Sequence, residues 1–324
     1  MPVDRPDPAD DPEEPGHFRP PDGPETPDAA PLLPLDQANR AAVHRANRAQ
    51  VEHVYAAHEA NAGDDTRNAT ADPDANRGSW TEALPSLRAA WEQHQDRYPE
   101  QERATPRTHA DGSWSSGEAR RLTPEQNTEA TKACADIHDE GERVALPAMR
   151  QIEAADPNRR LAGLEHMLKK ADRLKEKIAD ILLVESRLSP REALDKVPDA
   201  VRYTFTYNPD GYADGVRADI ERLKAHGFEE IKLKNLWSSS QYKGINTQWR
   251  RVETGLRFEV QFHTPESLQA KELTHGAYER LRRHENETTQ VERDELEEFQ
   301  HRVNVPLVAP PGSEEIRDFP ERKR

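Results

Sequence analysis

Phe258-Glu259-Val260-Gln261-Phe262-His263-Thr264 alternates without a break: Phe258, Val260 and Phe262 fall on one side, Glu259, Gln261 and His263 on the other. A period of two over this length predicts a half-buried β-strand, because successive side chains of a strand point to opposite faces. The polar side is unusual in kind. A plain solvent face carries Lys, Thr or Ser, whereas this one lines up a carboxylate, an amide and an imidazole. Held on a rigid strand, such groups can offer a substrate a metal ligand and orienting partners. As an outer face they are merely solvated. The segments on either side decide between the two.

Upstream, Pro198-Asp199 leads into Val201–Tyr207, where Val201, Tyr203, Phe205 and Tyr207 alternate with Arg202, Thr204 and Thr206, a second strand with one aromatic face. Residues 213–226 read as an amphipathic helix closed by Gly227. Residues 228–234 follow as a strand, with Lys232 and Lys234 opposed to Ile231 and Leu233. After the Ser-rich loop 235–242, Lys243-Gly244-Ile245-Asn246-Thr247-Gln248-Trp249 reads as a further strand, and residues 251–255 turn into the opening one. Downstream, Thr264-Pro265 starts a helix over 266–283 that carries Lys271, His275 and Tyr278, and a last helix lies near 291–303.

Before the sheet, Leu161, Leu164, Leu168, Ala171, Leu174, Ile178 and Ile181 recur at three- and four-residue steps and predict one long helix from Arg160 to Val184. On it Lys169, Arg173 and Lys177 would form a single row. Such a row is either a solvated stripe or a clamp for a polyphosphate. Thr123-Pro124 marks the start of the globular part, with Ala133, Ile137, Val144, Met149 and Ile152 facing a core. The pair His138-Asp139 invites comparison with metal-dependent phosphohydrolases, but no further ligands stand at a suitable spacing, and a solvated helix face is the better reading.

Residues 1–122 look different. The first 34 contain eleven prolines among Asp and Glu and predict a disordered tail. A thin apolar stripe of Val43, Val51, Val54 and Tyr55 predicts a helix over about 36–60, and residues 61–122 read as a linker with one short helix near Trp80–Gln95. The expected organisation is thus a disordered, partly helical region 1–122, a domain over 123–305 with its motifs between 159 and 283, and a charged tail 306–324. Helix, strand, helix, a run of strands and a helix make an α+β fold with a mixed β-sheet flanked by helices.

Composition agrees. Across 324 residues 34% are hydrophobic and 33% charged, and the mean hydropathy is −1.04, too polar for one core over the whole length. Cys134 is the single cysteine, so no intramolecular disulfide forms. No apolar run is long enough for a membrane span, and the acidic start MPVDRPDPADDPEEP is unlike a secretory leader, which leads us to expect action in the cytoplasm. The net charge of −15 conceals a local reversal: 24 Lys and Arg stand against 19 Asp and Glu between Arg159 and Arg283. A basic module in an acidic chain predicts an anionic ligand, phosphate being the commonest. Were the two strands neighbours, Asp199 and Glu259 could share a Mg²⁺, an ion normally held by one or two carboxylates and completed by phosphates and water.

These segments, taken together and in order, resemble the RelA/SpoT-like alarmone synthetases, which have a nucleotidyltransferase-like fold. LKKADRLKEKI (168–178) resembles the basic ATP-phosphate helix, DAVRYTF (199–205) the metal-aspartate strand and LKN (233–235) the lysine strand. YKGIN (242–246) resembles the tyrosine loop, with Asn246 where a histidine is usual, and FEVQFHT (258–264) the Glu-x-Gln strand. The match covers under half of the chain and is closest to short, synthetase-only members, including toxic ones. Met167 stands where many relatives have an arginine of the ATP clamp, Arg173 replaces a small hydroxyl residue, and the step from Asp199 to Arg202 is shorter than usual.

The resemblance implies a 3′-pyrophosphokinase that moves the β,γ-pyrophosphate of ATP onto the 3′-hydroxyl of a purine nucleotide, making an alarmone of the (p)ppGpp or (p)ppApp type. Lys169, Arg173 and Lys177 would bind ATP. Asp199 and Glu259 would hold Mg²⁺, with Glu259 also able to act as base and Gln261 orienting it. Tyr242 would stack on the acceptor base, with Lys234, Lys243 and Asn246 around the acceptor. An antidote or immunity protein is the expected partner of a toxic member. Two rivals stand beside this reading. One is pyrophosphorylation of the 3′ end of tRNA, for which Arg250, Arg251, Arg280, Arg282 and Arg283 would form the basic surface. The other is a catalytically weak nucleotide-binding module, for which Met167 is the argument.

Overall fold

The computed structural model describes residues 73–99, 104–283 and 288–320, so the tail read over 1–34 and the helix read over 36–60 lie outside the described residues. Pro73 opens a 25-residue helix, α1 (Pro73–Arg97). Its buried Trp80, Leu84 and Leu87 recur at three- and four-residue steps and meet Ala270, Ala277, Leu296, Phe299 and Val303 in a small core of their own. The Trp80 indole N–H donates to the Val303 carbonyl at 2.9 Å. Three short strands follow as an antiparallel sheet, β1 (Arg107–Thr108), β2 (Trp114–Ser116) and β3 (Arg120–Leu122).

Next come α2 (Pro124–Glu140), a wider π-type turn Gly141–Ala145, and α3 (Leu146–Ala154). Thr123 and Gln126 close a capping box ahead of Pro124, so the Thr-Pro start is seen where the sequence puts it. At the wide turn the Tyr203 hydroxyl donates to the Gly141 carbonyl at 2.7 Å, supplying a partner from outside the helix. Strand β4 (Arg159–Ala162) leads to α4 (Ala171–Val184), α5 (Pro190–Asp195), β5 (Arg202–Tyr207), α6 (Tyr212–Ala225), β6 (Phe228–Asn235), β7 (Ile245–Arg251), β8 (Arg257–His263), α7 (Pro265–Arg283) and α8 (Gln290–Asn304).

The main sheet has the order β4-β5-β8-β7-β6; β5 and β8 run parallel and every other pair is antiparallel. The α+β class with a mixed sheet and flanking helices is therefore observed. One sheet face is apolar: Tyr203, Phe205, Phe258, Val260, Phe262, Ile245 and Trp249 are at most 1% exposed and join the core with α2, α3, α4 and α6.

Two expectations need correction. The helix from Arg160 to Val184 is instead a strand, a short 3₁₀ turn and a helix that starts only at Ala171. Leu161 pairs opposite Phe205 in the sheet, Gly163 takes a left-handed φ of 64°, and Leu168 bridges to Val201. Arg159 fixes the strand: it is fully buried, donates to the Ile152 carbonyl at 2.7 Å, and forms an ion pair with Asp219. Leucines at steps of three and four satisfied a helix pattern while each served a different element.

The second concerns the span 61–122. Residues 73–97 and 107–122 are built into the fold, which among the described residues begins before Thr123. Asp172, Glu176 and Asp180 make an acidic row on α4, and it receives the Trp114 indole at 3.1 Å, the Ser116 hydroxyl at 2.8 Å and Arg120 at 2.7 Å.

Candidate active site

Parallel pairing of β5 with β8 sets Arg202 opposite Glu259 and Thr204 opposite Gln261. Asp199 stands just before β5. Arg202 joins the two acids: its Nε donates to Glu259 Oε2 at 2.6 Å and its Nη2 to Asp199 Oδ2 at 2.9 Å. The segment 167–169 runs extended beside 200–202, with Arg202 N donating to the Met167 carbonyl and Lys169 N to the Ala200 carbonyl. This brings Lys169 Nζ to 2.8 Å from Asp199 Oδ2. Burial would raise the Asp199 pKa, but Lys169 and Arg202 outweigh it and hold the carboxyl below the ordinary range. The Arg202 guanidinium shows the converse: burial opposes its charge, and Glu259 and Asp199 more than restore it.

Gln261 donates from Nε2 to Glu259 Oε1 at 3.2 Å, while its own Oε1 is buried without a hydrogen-bond partner. Among the described residues no group of three or more His, Cys, Asp or Glu side chains is placed to hold a metal. Mg²⁺ asks for less than that. Two carboxylates within the span of one guanidinium give the hard oxygen pair that a phosphate-bound Mg²⁺ uses, so the donor set fits.

Cross-strand register extends the site across the sheet. Lys234 lies opposite Asn246, Asn246 opposite Gln261, and Gln261 opposite Thr204. One step along, Lys232 faces Gln248, Gln248 faces Glu259, and Glu259 faces Arg202. Two polar rows thus share the face opposite the aromatic core. Lys232 and Gln248 were not singled out as site residues; the alternation in β6 and β7 carried the signal, but only with the register known does it point here.

Tyr242 sits at the mouth of the tight loop before β7. Its hydroxyl donates to Asn246 Oδ1 at 2.7 Å and lies 2.9 Å from His263 Nε2. Burial, then the nearby Glu259 charge, pushes its pKa well above the ordinary value. Lys243 turns inward: it is 8% exposed and donates to the Trp237 carbonyl at 2.8 Å, closing the loop. His263, which gains no role from the sequence comparison, is fully buried and kept neutral by burial, with Lys271 and Arg202 adding to the effect.

The basic row is split. Lys169 is on the extended segment, Arg173 pairs with Glu176 at 2.7 Å, and Lys177 is half-buried, its pKa lowered by burial and then by Arg282 and Lys169. Met167 is 7% exposed, with its side chain in the core. A further cation is Lys271 on α7, mostly buried, with its pKa lowered by burial and by Arg202 against the opposing Glu272 and Glu259.

No family model matches the chain, and no curated protein matches it. Solved structures do. A GTP pyrophosphokinase family protein from Streptococcus pneumoniae is similar at 13% identity, over 57% of this chain and 91% of that one, with a TM-score of 0.37. The small alarmone synthetase 1 from Bacillus subtilis is similar at 13% identity, over 51% of this chain and 91% of that one, with a TM-score of 0.31. Its complex with the product pppGpp is similar at 15% identity, over 42% and 68%, with a TM-score of 0.29. Likeness at this level leaves the chemistry to be read from the chain's own residues.

Proposed function

We propose that the polar face of the main sheet transfers the β,γ-pyrophosphate of ATP to the 3′-hydroxyl of a purine nucleotide, as an alarmone synthetase does. The observation that supports this best is the junction of Asp199, Glu259, Arg202 and Lys169, formed by two parallel strands at the edge of a polar face. Phosphoryl-type transfer asks a protein mainly for positioning and charge compensation, and those are the resources collected here. Lys169, Arg173 and Lys177 bind the ATP phosphates. Mg²⁺ held by Asp199 and Glu259 would supply neutralisation of phosphate charge. Arg202 keeps the two carboxylates together. Glu259 takes the hydroxyl proton as the pyrophosphate moves and AMP leaves, and Gln261 fixes the orientation of Glu259. Tyr242 stacks on the acceptor base beside Asn246 and Lys234, and Lys243 supports the loop from behind.

Three of the five arginines that would make an RNA surface are paired with acids. Arg250 pairs with Glu229, Arg251 with Glu140 and Glu253, and Arg280 with Glu292. A small nucleotide is therefore preferred over tRNA as acceptor. The test is incubation with labelled ATP, Mg²⁺ and either nucleotides or tRNA, beside Glu259→Ala. Label on a nucleotide, lost in the variant, is expected. Label on tRNA alone overturns the acceptor, and label on neither overturns the enzyme reading. No helix among the described residues is long and apolar enough to cross a membrane. The site of action we propose is the cytoplasm. A toxic role, with an antidote partner, predicts growth arrest on expression that Glu259→Ala relieves; harmless wild-type expression counts against it.

A further inference from the structure

The imidazole of His263 has no part in the chemistry proposed above, yet it joins the two segments that bracket the acceptor side. On one side it meets Tyr242, with Nε2 2.9 Å from the phenol oxygen. On the other, Nδ1 lies 2.9 Å from the Ser267 hydroxyl in the first turn of α7. The direction of this chain follows from counting protons. Tyr242 has one hydroxyl proton and gives it to Asn246 Oδ1, which only accepts. The phenol oxygen must then accept from Nε2–H. A neutral imidazole with its proton on Nε2 has a bare Nδ1, which at 2.9 Å takes the Ser267 hydroxyl proton in preference to the Thr264 carbonyl, 3.2 Å from the same oxygen. Ser267 is itself held by the Thr264 amide at 3.0 Å.

The loop backbone rests on the same ring. Gly244 takes a φ of 144°, and a Cβ added there would fall 2.8 Å from His263 Cε1 and 3.0 Å from Nδ1. The tyrosine is thus fixed through its hydroxyl, and the loop through its glycine.

We infer that His263 is a positioning residue for Tyr242: its Nε2–H, set by Ser267 behind it, holds the phenol where an acceptor base can stack. This rests on the reading of Tyr242 proposed above. A histidine that only fills space would need no particular tautomer and no particular nitrogen.

Two measurements on the full chain test it. In the nitrogen-15 spectrum of histidine-labelled protein, His263 is expected as the neutral Nε2–H tautomer, with the Nε2 signal moving in Tyr242→Phe. A proton on Nδ1, or no response to Tyr242→Phe, overturns the inference. The second measurement uses two near-isosteres. The amide nitrogen of Gln reaches the place of Nε2, whereas that of Asn reaches only the place of Nδ1. Expected is a KM for the acceptor raised roughly tenfold in His263→Asn, with kcat little changed, and restored in His263→Gln, the scale of one well-placed hydrogen bond. Equal KM values in the two variants overturn it. A wild-type chain that transfers nothing overturns the reading of the site, and the nitrogen spectrum then decides the His263–Tyr242 bond alone.

Discussion

Two arginines on neighbouring strands of one sheet each hold a carboxylate, and they do opposite work. Arg159 on β4 and Asp219 on α6 are both 0% exposed, and Tyr207 and Arg222 add bonds of 2.6 and 2.7 Å to the same aspartate. Arg202 on β5 and its partners Asp199 and Glu259 keep side-chain exposures of 30%, 28% and 13%. The first cluster is closed and ties a helix to the sheet. The second keeps part of each charged side chain in contact with solvent. Ion pairing by itself thus tells nothing about function. Access to solvent separates a brace from a site.

The comparison breaks most sharply with Glu259→Gln. It should lower the transfer rate by about 10²–10³ and cost less stability than the next variant, since Arg202 keeps Asp199 as its partner. A stopped assay for labelled product, with urea unfolding on the same sample, measures both. Asp219→Ala should do the reverse. Arg159 would keep Asp156 at 3.1 Å while the buried Tyr207 hydroxyl loses its acceptor, a cost of about 1–3 kcal/mol, read as a lower urea midpoint, while the rate per folded molecule holds. If Asp219→Ala lost activity with its stability intact, the division into brace and site would fail.

A gentler probe reaches the small core under α1. A Cβ at Gly276 would come within 2.5 Å of Trp91 Cζ2, an aromatic ring stacked on Phe299 and His94. Gly276→Ala should therefore cost about 1–3 kcal/mol of stability by overpacking. An unchanged unfolding midpoint would mean that α1 yields freely.

The two clusters also differ in how far the sequence reveals them. Strict alternation made β5 and β8 legible, and with them Asp199, Glu259 and Gln261, because a strand with one aromatic and one polar face is hard to mistake. Arg159 was hidden: Leu161, Leu164 and Leu168 mimic a helical stripe, and nothing local shows that Asp219, sixty residues on, waits for it. Strands of two or three residues such as β1 to β3 carry too few alternations to stand out from a linker, and their hold on the acidic row of α4 is purely tertiary. The charge of Lys169 is legible in the sequence but its element is not, and an extended segment, not a helix, brings it to Asp199. His263 was visible as a residue and silent as to role, because its meaning lies in the partners at its two nitrogens.

The smallest effects lie in pH, where the site divides into two windows. The folded pKa of Asp199 is lowered, since Lys169 and Arg202 outweigh burial. The stability this confers is present above the unfolded value of about 3.9 and is lost as pH falls through the folded value. Wild type and Asp199→Asn should therefore keep a constant difference from pH 7 to 5 and converge only below about pH 4. His263 is also lowered, by burial first, but from about 6.5. Its unfolded state takes up a proton that the folded state refuses, so stability falls as pH drops below about 6.5, by under about 1 kcal/mol at pH 6. His263→Gln removes that loss. Urea midpoints of wild type and His263→Gln should accordingly draw together between pH 7 and 5.5, while the Asp199→Asn difference stays flat over the same range. Parallel curves for all three proteins would mean that the imidazole is not held neutral, and that the contact behind Tyr242 is looser than a buried hydrogen bond.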